Sequence, residues 1–173
     1  MTRAVAVFLT LVIAICVSSC TRDAETPVKA SESAPSSTAK VAVSPRPEKP
    51  ADALASITTN FPGVVADVTE FRRKGPVLTA LVRLRNQGSA LASVDIRFSE
   101  AYVMEAGTKK YQVLKDEDGA YIASAPARVY EGLKDGGTQI VWMKFPAPTP
   151  EVHTATLVVP GMSPFEDLSI QDQ

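Results

Sequence analysis

The sequence predicts an all-β protein: an immunoglobulin-like antiparallel β-sandwich of seven or eight strands that follows a disordered tether. From Phe61 onward, apolar and polar residues alternate with a period close to two, which is typical of half-buried antiparallel strands. Turn-forming residues interrupt these runs at short intervals, as in a sandwich. No 12-residue stretch of the folded part shows a convincing apolar stripe at helical spacing. A closed barrel is the main alternative for the same pattern.

Length and charge limit the classes of function. The chain has 173 residues, with 18 basic and 19 acidic side chains and a formal net charge of −1. This length suits one domain with appendages. The near-balance of charge offers no basic face for nucleic acid, so we expect no nucleic-acid partner.

The first 19 residues have the features of a secretory signal peptide. Arg3 is their only charge, an apolar run from Ala4 to Val17 follows, and the small residues Ser18 and Ser19 end the segment. The run of 14 residues is shorter than the roughly 20 that a spanning helix needs. A retained transmembrane anchor is therefore the less favoured alternative.

Val17, Ser18, Ser19 and Cys20 resemble the lipobox of bacterial lipoproteins. The resemblance implies a diacylglyceryl group on the Cys20 sulfur, cleavage between Ser19 and Cys20, and fatty acylation (palmitate) of the new amino terminus. Two acyl chains hold a protein stably on a membrane. Cys16 would leave with the signal peptide. An ordinary secretory signal that happens to end near a cysteine is the alternative.

The resemblance also implies a location in the bacterial cell envelope. In Gram-negative lipoproteins, an aspartate directly after the lipidated cysteine favours the inner membrane, whereas this chain has Thr21 there. If the source is Gram-negative, we expect a lipid-anchored protein on the outer membrane, facing the periplasm.

Residues 20–54 are predicted to be the lipidated cysteine and a flexible linker, and residues 55–173 the folded domain. The linker is rich in Pro, Ser and Ala and has no aromatic residue, so it cannot bury enough apolar surface to fold. A coil of about 34 residues has a root-mean-square reach of roughly 30–35 Å.

Individual strands are predicted from the side chains that share a face. One face of the first long run carries Val64, Ala66 and Val68, with Asp67 and Thr69 opposite. The turns between strands are expected at "RKGP" (73–76), "NQGS" (86–89), "EAGTKK" (105–110), "DEDG" (116–119), "KDGG" (134–137) and "PGMSP" (160–164).

The sequence predicts no catalytic residues, no metal and no cofactor. His153 is the only histidine, and the mature chain would have no free cysteine to complete a zinc site. We expect His153 to be a partly buried edge residue. The "DEDG" run lacks the Glu that an EF-hand needs at its twelfth position, where Ala127 stands, so a hairpin turn is favoured. Glu166 and Asp167 are adjacent, and we expect them on a solvated strand edge rather than as a catalytic pair.

The aromatic residues are mostly expected in the core and rim of the sandwich, with Trp142 between the sheets. Tyr121 and Tyr130 are the best candidates for exposure, because they flank "IASAPARV", which has no clear period. That loop, with Tyr121 and Tyr130, is the possible recognition site. The loop from Glu105 to Lys110 is the other candidate, since binding residues concentrate on loops.

Three C-terminal segments, Lys109 to Gly119, Trp142 to Pro148 and Pro160 to Ile170, resemble a family of exported immunoglobulin-like bacterial domains. These occur as lipoproteins and in front of OmpA-like domains. The resemblance implies a β-sandwich in the envelope but no particular reaction. We expect no OmpA-like domain after Gln173, and no disulfide at "AYIAS".

The function expected is therefore that of a membrane-anchored envelope lipoprotein with a non-catalytic binding or scaffolding domain. Its partners would be the membrane, through the lipid on Cys20, and an envelope protein or glycan. The alternative is an envelope stress or assembly accessory that acts as a small chaperone-like binder. A hydrolase is the least supported hypothesis.

Overall fold

The computed structural model describes residues 48–173. The predicted signal peptide (1–19), the cleavage site at Ser19 and Cys20, and the linker up to residue 47 lie outside the described residues. Among those described, no helix has the length and apolar character needed to span a membrane.

The described chain is all-β. One 3-10 turn, Phe98–Glu100, separates two of the strands. The strands are β1 (Ala55–Thr58), β2 (Val64–Lys74), β3 (Val77–Asn86), β4 (Ala92–Arg97), β5 (Tyr102–Glu105), β6 (Lys109–Gln112), β7 (Arg128–Leu133), β8 (Thr138–Pro146), β9 (Thr154–Val158), β10 (Phe165–Ser169) and β11 (Gln171–Asp172).

The strands form a β-sandwich, as predicted. One sheet has the order β1-β2-β3-β8, with β11 parallel to β2, and a second has the order β10-β9-β5-β6. A ribbon of β4 and β7 completes the fold. Every other pairing is antiparallel, and side chains from all three groups share one buried core.

The alternation of apolar and polar residues correctly predicted which side chains of the long strands are buried. Val64, Ala66 and Val68 point into the core, and the inward residues of β3 are fully buried. Two bulges change this alternation. An extra residue between Val68 and Glu70 turns Phe71 inward, and another in β10 lets both Phe165 and Leu168 reach the core.

Residues 48–173 contain eleven strands, whereas seven or eight were predicted. The strands β1 and β11 contain only four and two residues, too few to show a period. Residues 128–133 form β7, although Arg128 and Val129 belong to the stretch in which no period was visible. Each of the six predicted turns overlaps a connection between successive strands, or between the bridged residues Lys115 and Tyr121.

Contacts with the sandwich begin a few residues before Ala55. Ala53 is buried, and Leu54 donates its N–H to the carbonyl of Val68 at 2.7 Å. Asp52 forms a two-pronged ion pair with Arg83 of β3, at 2.7 and 2.9 Å. The segment before β1 therefore packs on the outer face of the five-stranded sheet.

A buried carboxylate joins this segment to three strands. Asp67 points to the outer face of β2 yet is inaccessible to solvent. It accepts hydrogen bonds from Ser56 of β1 at 2.6 Å and from Arg85 of β3 at 2.5 and 3.1 Å. Arg83 reaches across it toward Asp52, with its Nε 3.4 Å from Asp67. Burial by itself would raise the pKa of Asp67, but hydrogen bonds from Arg85 and Ser56 and the charge of Arg85 hold that pKa below its usual value.

A buried arginine closes one end of the sandwich. Arg73 lies on β2, points inward beyond Phe71 and is 6% exposed. Its guanidinium donates to both carboxylate oxygens of Asp172, at 2.6 and 3.0 Å. It also donates to four backbone carbonyls of the β8–β9 loop, those of Pro148, Thr149, Pro150 and Val152.

We predict that Asp67 contributes to acid sensitivity. Because its pKa is lowered in the fold, its stabilising contribution is present above the unfolded pKa of about 3.9 and is lost as the pH falls through the folded value. In Asp67→Asn, the free energy of unfolding at pH 7 should fall by about 3–5 kcal/mol, since two arginines lose a buried partner. Its decline between pH 5 and pH 3 should also be shallower. Urea titrations at each pH measure both effects.

Glu117→Gln is the matched control, because Glu117 is an exposed carboxylate in the 116–119 turn. It should reproduce the wild-type curve. Equal pH dependence in wild type and Asp67→Asn would contradict the role given to Asp67.

Candidate functional site

One concavity of the described residues lies on the outer face of the four-stranded sheet, where it forms an open groove of about 560 Å³. Its floor contains Met104 of β5 and the outward residues Thr154 and Thr156 of β9. One wall is the β5–β6 turn, residues 105–107, and the other is the segment 151–153. Asp167, at the bulge of β10, closes the side between them.

Two residues that line the groove have an unusual backbone conformation. Ala106 (φ 44°) and Asp167 (φ 52°) are the two non-glycine residues with positive φ in residues 48–173. An alanine in this region is conformationally unfavourable. Such positions persist only when the surrounding structure holds them, and they concentrate at functional sites. Ala106 belongs to the tight β5–β6 turn, which Thr108 closes by donating its N–H to the carbonyl of Glu105, and Asp167 belongs to the bulge of β10.

Hydrogen bonds to backbone groups hold the 151–153 wall in place. Arg73 binds the carbonyls of residues 148–150 and of Val152. The N–H of Val152 donates to Thr149 at 3.0 Å, and that of Ile170 donates to the carbonyl of His153 at 2.8 Å. These bonds fix the backbone of the wall, in which Val152 packs against the core while Glu151 and His153 are exposed.

The lining is rich in hydrogen-bond acceptors. Glu105, Glu151 and Asp167 are among its lining residues, together with Thr154 and Thr156. Hydrogen bonds from its own backbone N–H and from Thr149 lower the pKa of Glu151. Glu105 is oriented by the Tyr111 hydroxyl, which donates to it. Such a lining suits a ligand with hydroxyl donors or a cation and disfavours an anion.

The two predicted recognition residues do not form one site. Tyr130 points out from β7, is 66% exposed, and has the Arg128 guanidinium 5.5 Å from its ring centroid. Tyr121 is only partly exposed and packs toward the core, with its ring centroid 6.4 Å from that of Phe98. The groove instead includes the start of the second predicted loop, Glu105 to Lys110. Recognition by either loop stays a prediction.

Two expectations about single side chains were wrong. His153 is exposed rather than partly buried, because it precedes β9 instead of lying within the ladder. Trp142 is not between the sheets: it alternates with the buried Val141 and Met143 and so points to the outer face of β8. Phe145 and Tyr111 are buried, as expected.

The acidic "DEDG" run forms a turn. The Asp116 carboxylate accepts from the N–H groups of Asp118 and Ala120 at 3.1 and 2.8 Å, and Lys115 bridges to Tyr121. Among the described residues, no group of three or more His, Cys, Asp or Glu side chains is arranged to hold a metal ion.

The sequence did not indicate that residues 151–156 would meet the 105–107 turn, because nothing local encodes that pairing. One signal did exist. Phe165 and Leu168 are apolar residues three apart beside a strand of period two, which indicates a bulge and so the special position of Asp167.

Comparisons with protein-family models, with curated proteins and with solved structures give no match to this chain. The resemblance to lipoproteins and to exported immunoglobulin-like domains therefore stays a prediction from its motifs.

Proposed function

We propose that this protein is a lipid-anchored binding domain of the bacterial envelope, and that the groove on the four-stranded sheet is its binding site. Cys20 carries the lipid, and residues 20–47 connect it to the sandwich. The domain binds an envelope protein or glycan without transforming it. In a Gram-negative cell it faces the periplasm from the outer membrane.

The groove is the observation that carries this proposal. Its volume of about 560 Å³ lies in the range of small-ligand sites. Its acceptors include the carboxylate of Glu151, which is held by hydrogen bonds from its own backbone N–H and from Thr149. Positioned acceptors on a fixed backbone favour recognition of a hydroxyl-bearing or cationic group, such as a neutral sugar or a lysine side chain.

A chaperone-like accessory is the second candidate. Leu91 and Tyr130 are each 66% exposed, and Ile140 is 51% exposed. Large apolar side chains on a surface are suited to weak contacts with many unfolded partners. If the protein is a chaperone-like accessory, many different proteins should contact the surface at Tyr130. If the groove is the binding site, one partner should contact Thr156.

We predict that a photo-crosslinking residue at Thr156, in the floor of the groove, gives one dominant adduct in cells. The same residue at Thr79 is the control, since Thr79 has the same side chain on the outer face of the other sheet. Adding Asp167→Lys should reduce the Thr156 adduct at least about tenfold, because it places a cation in a groove suited to cations. Gel analysis detects protein and glycan adducts alike. No adduct at Thr156, or equal products at Thr79, would contradict the proposal.

We predict that Cys20→Ala abolishes lipidation and moves the protein from the membrane to the soluble or unprocessed fraction. Cys16→Ala should leave processing and membrane attachment unchanged, because Cys16 lies before the cleavage site. Fractionation with metabolic labelling by a fatty acid measures both. A processed, soluble wild-type protein would rule out the anchor while leaving the groove hypothesis untouched.

A further inference from the structure

The ribbon of β4 and β7 leaves an unpaired strand edge on the surface. These strands pair in register from Ala92 opposite Leu133 to Arg97 opposite Arg128, and neither belongs to a larger sheet. Natural proteins usually protect such edges, because an exposed row of N–H and C=O groups recruits another strand.

The hydrogen-bonding pattern shows which groups of β7 are free. Phe98 donates its N–H to the carbonyl of Ala127 at 3.1 Å, so this pair is a hydrogen-bonded one. Because such pairs alternate along an antiparallel ladder, Val129, Glu131 and Leu133 face β4. The backbone N–H and C=O groups of Arg128, Tyr130 and Gly132 therefore point away from it. No backbone group in residues 48–173 bonds to them.

Three other strand edges, those of β6, β8 and β10, are protected in ways that β7 is not. Strand β6 has four residues and exposes Lys109 and Lys110, and β10 carries the bulge at Asp167. The second half of β8 is covered by Leu114, Ile122 and Ser124, which bond to Trp142 and Lys144. In contrast, β7 is six residues long, regular in register and open along its length.

We propose that β7 pairs antiparallel with β7 of a second copy of this chain, centred on Tyr130. The two ribbons then form one continuous sheet in the order β4-β7-β7-β4 across a twofold axis. This interaction is independent of the groove and of the lipid anchor.

The free edge is self-complementary in this register. Arg128 stands opposite Gly132 of the other copy, Tyr130 opposite Tyr130, and Gly132 opposite Arg128. Each of these three pairs uses two outward backbone groups from each copy, and hydrogen-bonded pairs form two bonds each. The twofold operation therefore uses every outward N–H and C=O of the strand.

The side chains also fit this arrangement. Tyrosines directly opposite each other form a favourable aromatic pair. Gly132 has no side chain, and Leu91 lies next to it, 3.4 Å from where a Cβ would stand. The stem of Arg128 from the other copy can extend over this site and cover the exposed Leu91.

Pairing of β4 with β4 of a second copy across a twofold axis is unfavourable. Its outward backbone groups belong to Ser93, Asp95 and Arg97. Pairing centred on the middle residue would place Asp95 opposite Asp95, and like charges directly opposite are unfavourable. The charges therefore select β7 as the edge that meets its own copy. A contact of one short strand buries less area than a permanent dimer needs, so the dimer is reversible.

Cysteine cross-linking in the full-length protein tests the register. Opposing residues of a hydrogen-bonded pair have Cα atoms about 5.5 Å apart, within disulfide range. Under mild oxidation, Tyr130→Cys should form a covalent dimer. Arg128→Cys alone should not, but an equimolar mixture of Arg128→Cys and Gly132→Cys should. Wild type and Ser93→Cys, on β4, are the controls.

Sedimentation of the uncross-linked protein tests the dimer itself. Wild type should show a concentration-dependent monomer–dimer equilibrium. Gly132→Arg should raise the dissociation constant of the dimer at least about tenfold, because two arginines then stand opposite each other on each side of the twofold axis. A circular dichroism spectrum like that of wild type shows that the variant is folded.

Three results would overturn the proposal. One is a wild-type protein that stays monomeric at all concentrations. Another is cross-linking of Tyr130→Cys no stronger than that of Ser93→Cys. The third is cross-linking of Tyr130→Cys to a different protein instead of to itself, which would identify the edge as a docking site for another chain.

Discussion

The buried guanidinium of Arg73 is the interaction on which the end of the sandwich depends. An arginine at an inward position is costly unless its charge and donors are all matched. Here Asp172 matches the charge, and four carbonyls of the β8–β9 loop match the remaining donors. The partners lie 75 to 99 residues away in sequence, so the network forms only when β2, the β8–β9 loop and β11 are all in place.

This network connects the fold to the groove. The carbonyls that Arg73 binds belong to residues 148–152, and the wall of the groove begins at Glu151. Because the backbone of this wall is fixed before any ligand arrives, the entropic cost of binding against Glu151 is lowered. The buried Asp67 links β1, β2 and β3 of the five-stranded sheet through its hydrogen bonds and ion pairs. The two charge networks thus join strands of the five-stranded sheet to one another and to the wall of the groove.

Much of the fold was predictable because alternation of apolar residues determines which face of a strand is buried. The role of Arg73 was not, since a strict period of two from Val64 would place Arg72 inward and Arg73 outward. The bulge after Val68 reverses this parity, and a bulge depends on backbone contacts that periodicity does not show. Trp142 was misplaced for a related reason: a run that is apolar on both faces, such as "IVWMKF", does not indicate which face meets the core. The groove depends on contacts between residues far apart in sequence. The spacing of Phe165 and Leu168 was the one sequence feature that pointed to it.

Native-state hydrogen exchange in Arg73→Lys tests the central claim, that Arg73 fixes the wall of the groove. Lysine keeps the charge but lacks the planar fork that reaches several acceptors at once. The account predicts that the amides of Val152 and Ile170 lose about tenfold or more of their protection through local opening, while that of Val82 in the core changes far less. The control, Arg72→Lys, alters a neighbour that is partly exposed and should leave all three amides unchanged. Equal loss at all three amides in Arg73→Lys, or no loss at Val152 and Ile170, would contradict the account.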